Sequence, residues 1–211
     1  MTVTAITSFT TSTPIDETVH KLTQTLQSSN SNTRFVIGTK IQDPSTIQIT
    51  SEWPTVDSPA DLQASPAFQS FTEATKSSTS SPLTTILAHL NTSPFKAGHP
   101  PIIEFVKTDF PAAELTPELQ ESIDSDFARF EAIYRKRGTQ EEMGEVGLAT
   151  GWTEEQDGVR GFFVVRGWTG MERFEEAVGT EVWKEGIPIL LGWGKPFSLW
   201  HVERRVVGEG L

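Results

Sequence analysis

The amino-acid sequence predicts an α+β protein made of two consecutive β-α-β-β-α-β units. The first observation is that strand and helix patterns follow the same order in both halves of the 211 residues. The second is a matching offset: Trp53 and Trp168 end the third strands 115 positions apart (168 − 53), and Leu83 and Phe197 begin the fourth strands 114 apart (197 − 83). A nearly constant offset over about thirty residues indicates an internal duplication.

Residues 1–90 are interpreted as the first unit. Its first strand, from Val3 to Phe9, alternates side chains in the two-residue period of a strand. Thr13-Pro14 then opens a helix whose apolar residues are spaced by four, three and four. A hairpin over 34–41 and 46–53 follows, then a helix broken between Ser58-Pro59 and Ser65-Pro66, and a strand over 83–90. The apolar face of the first helix consists of Ile15, Val19, Leu22 and Leu26.

Residues 91–101 contain three prolines and a glycine, so they are predicted to link the two units, and 102–211 form the second. A strand over 102–105 precedes a helix opened by Thr116-Pro117 and ended by Gly138. Strands over 145–152 and 161–168 form a hairpin around Asp157-Gly158. Next, a helix is predicted from apolar residues at spacings of three, four and four, with a buried loop or short strand over 186–196 and a final strand over 197–203. The residues of that last helix face are Met171, Phe174, Val178 and Val182.

Composition excludes several classes of function. The net charge of −11 disfavours binding to nucleic acid, which requires a basic surface. Without cysteine the chain has no disulfide and no thiolate chemistry. No run approaches the ~20 apolar residues of a membrane span, and the first thirteen residues are too polar for a signal sequence, so a cytoplasmic protein is expected. The four histidines lack the spacing of a metal site, so no metal is predicted.

A β-α-β-β-α-β unit is ferredoxin-like, and two such sheets packed face to face make the dimeric α/β barrel. The chain resembles the antibiotic-biosynthesis-monooxygenase-like branch of that superfamily in the strand ending Ser51-Glu52-Trp53, in the segment 64–71 and in their counterparts over 164–183. The resemblance implies a single-chain barrel, itself a pseudo-dimer, that occurs as a monomer or a homodimer. It also implies a pocket between sheet and helices for a flat apolar or aromatic molecule, sometimes oxidised by dioxygen without flavin or metal. Many members carry a histidine on the helix after the strand tryptophan, whereas 58–75 and 171–184 contain none, which argues against a haem-degrading activity.

Two residues are candidates for catalysis. His201 lies in the last strand, where its side chain points away from those of Trp200 and Val202, and it could remove a proton from a phenol or an activated methylene. A histidine satisfied by a neighbour is the structural alternative. Arg166 interrupts the most apolar strand and could hold a developing oxyanion, or else form an ion pair with a glutamate such as Glu104 or Glu203.

Other residues are candidates for binding the ligand. Aromatic faces can stack on a planar molecule, although core packing explains tryptophans in a sheet equally well. The tyrosine hydroxyl on the apolar helix face needs a partner, which could be a ligand or a backbone carbonyl. The predicted binding residues are Trp53, Trp152, Trp168, Trp200, Tyr134 and His89.

The leading hypothesis from the sequence is a cofactor-independent monooxygenase acting on a small aromatic or polyketide-like molecule. A non-catalytic ligand-binding or stress-responsive barrel is the first alternative, and a purely structural protein with a filled core is the second. Ionisable groups that converge on one cavity would distinguish the enzyme from both.

Overall fold

A computed structural model describes residues 2–28, 33–54, 59–79 and 81–208. Within these residues, regular structure follows the order predicted for two β-α-β-β-α-β units, with one additional short helix between them. The strands are β1 (Thr2–Thr10), β2 (Arg34–Lys40), β3 (Thr46–Pro54), β4 (Thr84–Leu90), β5 (Ile102–Pro111), β6 (Glu145–Thr153), β7 (Val159–Trp168) and β8 (Phe197–Gly208). The helices are α1 (Ile15–Ser28), α2 (Pro59–Ala64), α3 (Pro66–Lys76), α4 (Phe95–Gly98), α5 (Pro117–Tyr134), α6 (Met171–Val178) and α7 (Glu181–Leu191).

The strands close into one antiparallel barrel in the order β1-β3-β2-β8-β5-β7-β6-β4. Each half contributes a four-stranded sheet with the ferredoxin-like order, β4-β1-β3-β2 and β8-β5-β7-β6. Two seams join the sheets, one between β2 and β8 and the other between β4 and β6. The predicted fold class, a single-chain dimeric α/β barrel of two ferredoxin-like repeats, is therefore confirmed.

Both seams depend on a glycine at equivalent positions of the two repeats. A Cβ on Gly38 of β2 would meet the Val202 side chain and the Glu203 carbonyl, and one on Gly151 of β6 would meet the His89 carbonyl. The partner of Gly38 in β3 is Gln48, and that of Gly151 in β7 is Phe163. These two pairs occupy the same place relative to Trp53 and Trp168, so the duplication predicted from the sequence extends to the contacts that close the barrel.

Replacing Gly151 with alanine is expected to lower the free energy of unfolding by about 1–3 kcal/mol, the usual cost of overpacking. The added methyl group would push β6 away from the His89 carbonyl, and the seam there has only three residue pairs. Urea unfolding of Gly151→Ala measures the effect. Gly179→Ala is the matched control, because its Cβ would meet no atom closer than 3.4 Å. Equal stability of Gly151→Ala and the wild type would contradict this account of the seam.

Three apolar clusters fill the molecule. One lies inside the barrel, and the others lie between the outer face of each sheet and its helices. The segment predicted as a linker contributes to the first of these, because α4 places Phe95 and Ala97 in the interior cluster. Helix α4 therefore closes one end of the barrel. Among the described helices, none is long and apolar enough to cross a membrane.

The second repeat differs from the prediction in its last helical region. The residues expected on one helix divide between α6 and α7, which are separated at Gly179 and Thr180. The buried loop or short strand predicted over 186–196 is wrong, because α7 continues to Leu191 through Gly186 and Pro188. Gly186 is buried where a Cβ would lie 3.0 Å from the Phe130 ring, so its lack of a side chain lets α7 approach α5.

Candidate functional site

An apolar cavity of about 330 Å³, called the outer cavity below, lies between the outer face of the second sheet and helices α5 and α7. Its volume is at the small end of the ~300–1,000 Å³ range of ligand sites. Leu191 and Phe197 at its rim are 56% and 54% exposed, so the entrance is apolar. The lining residues are Glu104, Val106, Thr108, Phe127, Phe130, Phe162, Val164, Arg166, Trp183, Ile187, Leu190, Leu191, Trp193, Lys195, Phe197 and Leu199.

Local sequence signals place the two helical walls. Thr116 caps α5 by accepting a hydrogen bond from the Leu119 backbone nitrogen at 3.3 Å, and Thr180 caps α7 in the same way from Trp183 at 3.2 Å. From these starts, the apolar stripe of α5 faces the sheet and that of α7 covers the gap beside it. Side chains thus surround the cavity on the helix side without filling it.

A row of three polar side chains crosses the outer face of the sheet beneath α5, α6 and α7. Strand pairing sets Glu104 of β5 directly between His201 of β8 and Arg166 of β7. All three side chains are buried, at 5%, 1% and 3% exposure. Glu104 and Arg166 line the outer cavity, whereas His201 does not.

Arg166 is held by two carboxylates. Its Nη1 lies 3.1 Å from Oε2 of Glu145, and its Nη2 contacts Oε1 of Glu131. Arg135 shares both partners, at 2.6 Å from Glu145 and 2.9 Å from Glu131. These ion pairs, together with Glu104, keep the pKa of Arg166 raised in spite of its burial. The ion-pair partners of Arg166 are therefore Glu131 and Glu145, not the glutamates suggested from the sequence.

Glu104 is the titratable group of this row that faces the cavity without a cation of its own. Trp168 Nε1 donates to its Oε2 at 2.6 Å. Burial raises the pKa of Glu104, while Arg166 and this hydrogen bond oppose the increase. Arg166 and Arg135 already neutralise two other carboxylates, so positive charge offsets the burial of Glu104 only in part and its pKa stays above the ordinary value. A carboxyl group with a raised pKa in an apolar cavity is suited to general acid–base catalysis.

His201 is fixed by a glutamine and covered by an aromatic ring. Gln42 Oε1 accepts the His201 backbone N–H at 2.9 Å, so the amide nitrogen of Gln42 faces His201 Nδ1, at 3.0 Å. This arrangement assigns the ring proton to Nε2, which has no hydrogen-bond partner among the described residues. The Phe174 ring lies 4.3 Å from the imidazole, and burial lowers the pKa of His201 to about 4.

This low pKa predicts a loss of stability in acid. Between pH 6.5, the ordinary histidine pKa, and about pH 4, this imidazole is protonated in the unfolded chain but not in the folded chain. The contribution of His201 to the free energy of unfolding is therefore largest above pH 6.5 and decreases as the pH falls towards 4. The shift corresponds to about 3 kcal/mol. Urea unfolding between pH 7 and 4 should therefore show a stability difference between wild type and His201→Gln that shrinks by about this amount. Exposed His20 supplies the control His20→Gln, and identical pH profiles for wild type and His201→Gln would contradict the prediction.

The first repeat has no such row. Ala5, Ser51 and Leu87 occupy the positions of Glu104, Arg166 and His201, since Ala5 pairs with both of the others. Trp53 is buried between Phe68 and Phe71, and its Nε1 donates to Ser51 Oγ at 2.9 Å. The outer face of this sheet is therefore apolar core, and the charged row is confined to the second repeat.

The other predicted binding residues lie at different places. Trp168 is fully buried and holds Glu104, and Tyr134 stacks on Phe130, with the Arg166 guanidinium 5.1 Å from its ring. Burial raises the pKa of the Tyr134 hydroxyl, while the charges of Arg166 and Arg137 oppose the increase.

Three predicted binding residues lie away from the outer cavity. Trp152 and His89 line a separate cavity beside β6, where His89 Nε2 contacts Glu154. Trp200 lies inside the barrel, on the opposite face of the sheet, where it stacks on Phe105. The structure thus places Arg166, Trp168 and His201 around Glu104, with Tyr134 against Arg166, and separates these others from them.

The residues that sequence reasoning missed as site residues are carboxylates and tryptophans. The sequence indicates Glu104 only as a partner of Arg166, although Ile102 and Val106, which share its face of the strand, are the signal of a buried carboxyl group. Glu131 and Glu145 belong to a helix and to a strand that nothing in the sequence places together. Trp183 and Trp193 line the cavity because α7 is a helix.

The cavity lining does not fit haem. The side chains that usually ligate haem iron are histidine, cysteine, methionine and tyrosine, and none of these lines the outer cavity. In the described part of the chain, no group of three or more acidic or histidine side chains is placed to hold a metal ion.

The barrel and its covering helices define the class: the chain has the fold of the dimeric α/β barrel superfamily and resembles its monooxygenase-like members. A candidate monooxygenase from Lactobacillus acidophilus has a TM-score of 0.63 at 14% identity, with 99% of this chain and 96% of that chain covered. One from Fusobacterium nucleatum has a TM-score of 0.60 at 11% identity, with 100% and 96% covered. An anthrone oxidase-like protein has a TM-score of 0.61 at 12% identity, with 99% and 93% covered.

Identities this low show a shared fold and no more. No family model matches the sequence, and a comparison with curated proteins finds no match either.

Proposed function

We propose that this protein is a cofactor-independent monooxygenase that oxidises a small aromatic or polyketide-like molecule in the outer cavity. The observation that carries the proposal is the position of Glu104, a buried carboxyl group with a raised pKa at the floor of a mostly apolar cavity. The names of the structural relatives support the same reaction class, since they include monooxygenase and anthrone oxidase-like proteins.

The chemistry begins with proton removal. The Glu104 carboxylate takes a proton from an activated methylene or a phenol, and the raised pKa makes it a stronger base than an exposed glutamate. The resulting carbanion, or the phenolate with part of its negative charge on a ring carbon, transfers electrons to dioxygen and forms the new carbon–oxygen bond. For a methylene substrate, one dioxygen converts CH₂ to C=O, and the second oxygen atom leaves as water with the two hydrogens removed from carbon.

Arg166 and the aromatic walls of the cavity stabilise and position the anion formed in this step. Arg166 lines the cavity, and its Nε–H has no partner among the described residues, so it is a candidate donor to the substrate oxygen that gains negative charge. Trp183 and Trp193 present aromatic surface to a planar ring. The geometry favours Glu104 over His201 as the base, because Phe174 covers His201 and burial lowers the pKa of His201 to about 4.

Dioxygen uptake by purified, chelator-treated protein tests the proposal against a panel of anthrones, quinols and polyphenols. Uptake that depends on protein and gives a product one oxygen richer, read by mass spectrometry, is the expected result. Val164→Trp should fill the cavity from its floor and abolish uptake, and circular dichroism checks that this variant is folded. Uptake undiminished in Val164→Trp would place the reaction elsewhere.

A non-catalytic ligand-binding protein is the second candidate. It is favoured by the saturation of the polar row, since Trp168 already occupies one oxygen of Glu104 and two carboxylates occupy Arg166. Quenching of tryptophan fluorescence by the same compounds, saturable but without dioxygen uptake, would support this alternative. The open cavity argues against a purely structural protein with a filled core. The oligomeric state, monomer or homodimer, stays a prediction. Sedimentation equilibrium measures it.

A further inference from the structure

The open end of the barrel contains a second cavity, called the inner cavity below, of about 450 Å³. It lies on the inner face of the sheets, whereas the outer cavity lies on the outer face. Helix α4 closes the opposite end of the barrel, and this cavity opens at the end where Thr10, Thr84 and Ser198 lie. Its apolar floor is formed by Ile6, Ile86 and Trp200.

Two lysines from different repeats point into this cavity. Lys107 of β5 pairs with Asp109 at 2.8 Å. Lys40 of β2 has no carboxylate within ion-pairing distance among the described residues, and its Nζ lies 5.1 Å from the centre of the Trp200 ring. Burial lowers the pKa of Lys40, although Asp43 opposes the decrease. A partly buried lysine without an ion-pair partner is costly unless an anion joins it.

The surroundings of the two lysines are suited to an anion. Hydroxyl groups from β1, β3, β4 and β8 line the same cavity, and no carboxylate belongs to its described lining. Since Asp109 neutralises Lys107, Lys40 is the cation of this lining that lacks an ion-pair partner among the described residues. The hydroxyl-bearing residues are Ser8, Thr10, Thr46, Ser81, Thr84 and Ser198.

We propose that the inner cavity binds a small organic anion with a flat apolar body and a carboxylate. The apolar body would lie against Trp200 and the two isoleucines of the floor, and the carboxylate would contact Lys40, Lys107 and neighbouring hydroxyls. Lys40 and Lys107 come from opposite repeats, so both repeats build the site. This inference is independent of the reaction proposed for the outer cavity, because no residue lines both.

Calorimetric titration with 2-naphthoate tests the proposal, with uncharged 2-naphthamide as the matched probe. The wild type should bind 2-naphthoate more tightly than 2-naphthamide. Added salt should lower the affinity for 2-naphthoate and leave that for 2-naphthamide unchanged. Lys40→Met should weaken 2-naphthoate at least about tenfold, the effect of one hydrogen bond to a charged group, and leave the amide unchanged. Binding of 2-naphthoate should also quench the fluorescence of Trp200, and Trp200→Phe should remove that quenching.

Lys195→Met is the control for location, because Lys195 lines the outer cavity. It should leave binding of 2-naphthoate unchanged. The proposal is overturned if 2-naphthoate shows no saturable binding at millimolar concentration, if Lys40→Met binds it as the wild type does, or if the loss follows Lys195→Met instead. Equal affinity for the acid and the amide would also overturn it, since the site would then not select charge.

Discussion

Replacing Arg166 with methionine is expected to lower the free energy of unfolding by about 3–5 kcal/mol, because the change breaks a buried ion pair from one side only. The Glu145 side chain is fully buried and that of Glu131 is 13% exposed, and after the change both carboxylates would share Arg135, which is 28% exposed, as their remaining ion-pair partner. Chemical unfolding in urea at pH 7 measures the loss.

Two variants distinguish this explanation from lost packing. Arg135→Met removes a guanidinium that is 28% exposed and should cost less. Arg166→Met combined with Glu131→Gln and Glu145→Gln should recover much of the stability, since no uncompensated buried carboxylate remains. If the free energy of unfolding of Arg166→Met lies within about 0.5 kcal/mol of that of the wild type, the ion pairs of Arg166 do not stabilise the fold.

Replacing Glu104 with glutamine is expected to lower kcat about 10²–10⁴-fold on any substrate that the outer cavity oxidises, which is the usual contribution of a general base. Glutamine keeps the size of the side chain and an acceptor for Trp168 Nε1, so the fold and KM should change little. Steady-state dioxygen uptake measures the effect. Glu203→Gln on the next strand is the control, because that carboxylate is half exposed.

Trp168→Phe separates the base from the residue that positions it. Without the indole hydrogen bond, which lowers the pKa of Glu104, the acidic limb of the kcat/KM profile should move to higher pH. Full activity in Glu104→Gln together with a loss in His201→Gln would return the role of base to His201, as the sequence suggested.

The sequence predicted the fold because its signals are local. Strand alternation, helical spacing and the residues that start helices, such as Thr116-Pro117, place each element from a few neighbours. The offset between Trp53 and Trp168 then revealed the duplication. The prediction was wrong over 186–196, where glycine and proline argued against a helix. Packing outweighed them, because Gly186 fits against Phe130 and Pro188 lies on the exposed side of α7.

The candidate site was less predictable, because cross-strand register and helix docking determine it. Arg166 could be singled out as a charge in an apolar strand, and it does lie at the cavity floor. Nothing local indicates that Glu131 and Glu145 neutralise it, or that Glu104 is thereby left without a cation. Trp53 and Trp168 look equivalent in the sequence, yet one donates to a serine and the other to a buried carboxyl group.

The sequence by itself therefore determined the number, order and kind of elements, because the periods of strands and helices are properties of adjacent residues. Tertiary structure decided how the barrel closes at Gly38 and Gly151, where the outer cavity lies, and which acid faces it. These features depend on residues far apart in the chain, and the burial that shifts the pKa of Glu104 exists only after α5 and α7 cover the sheet.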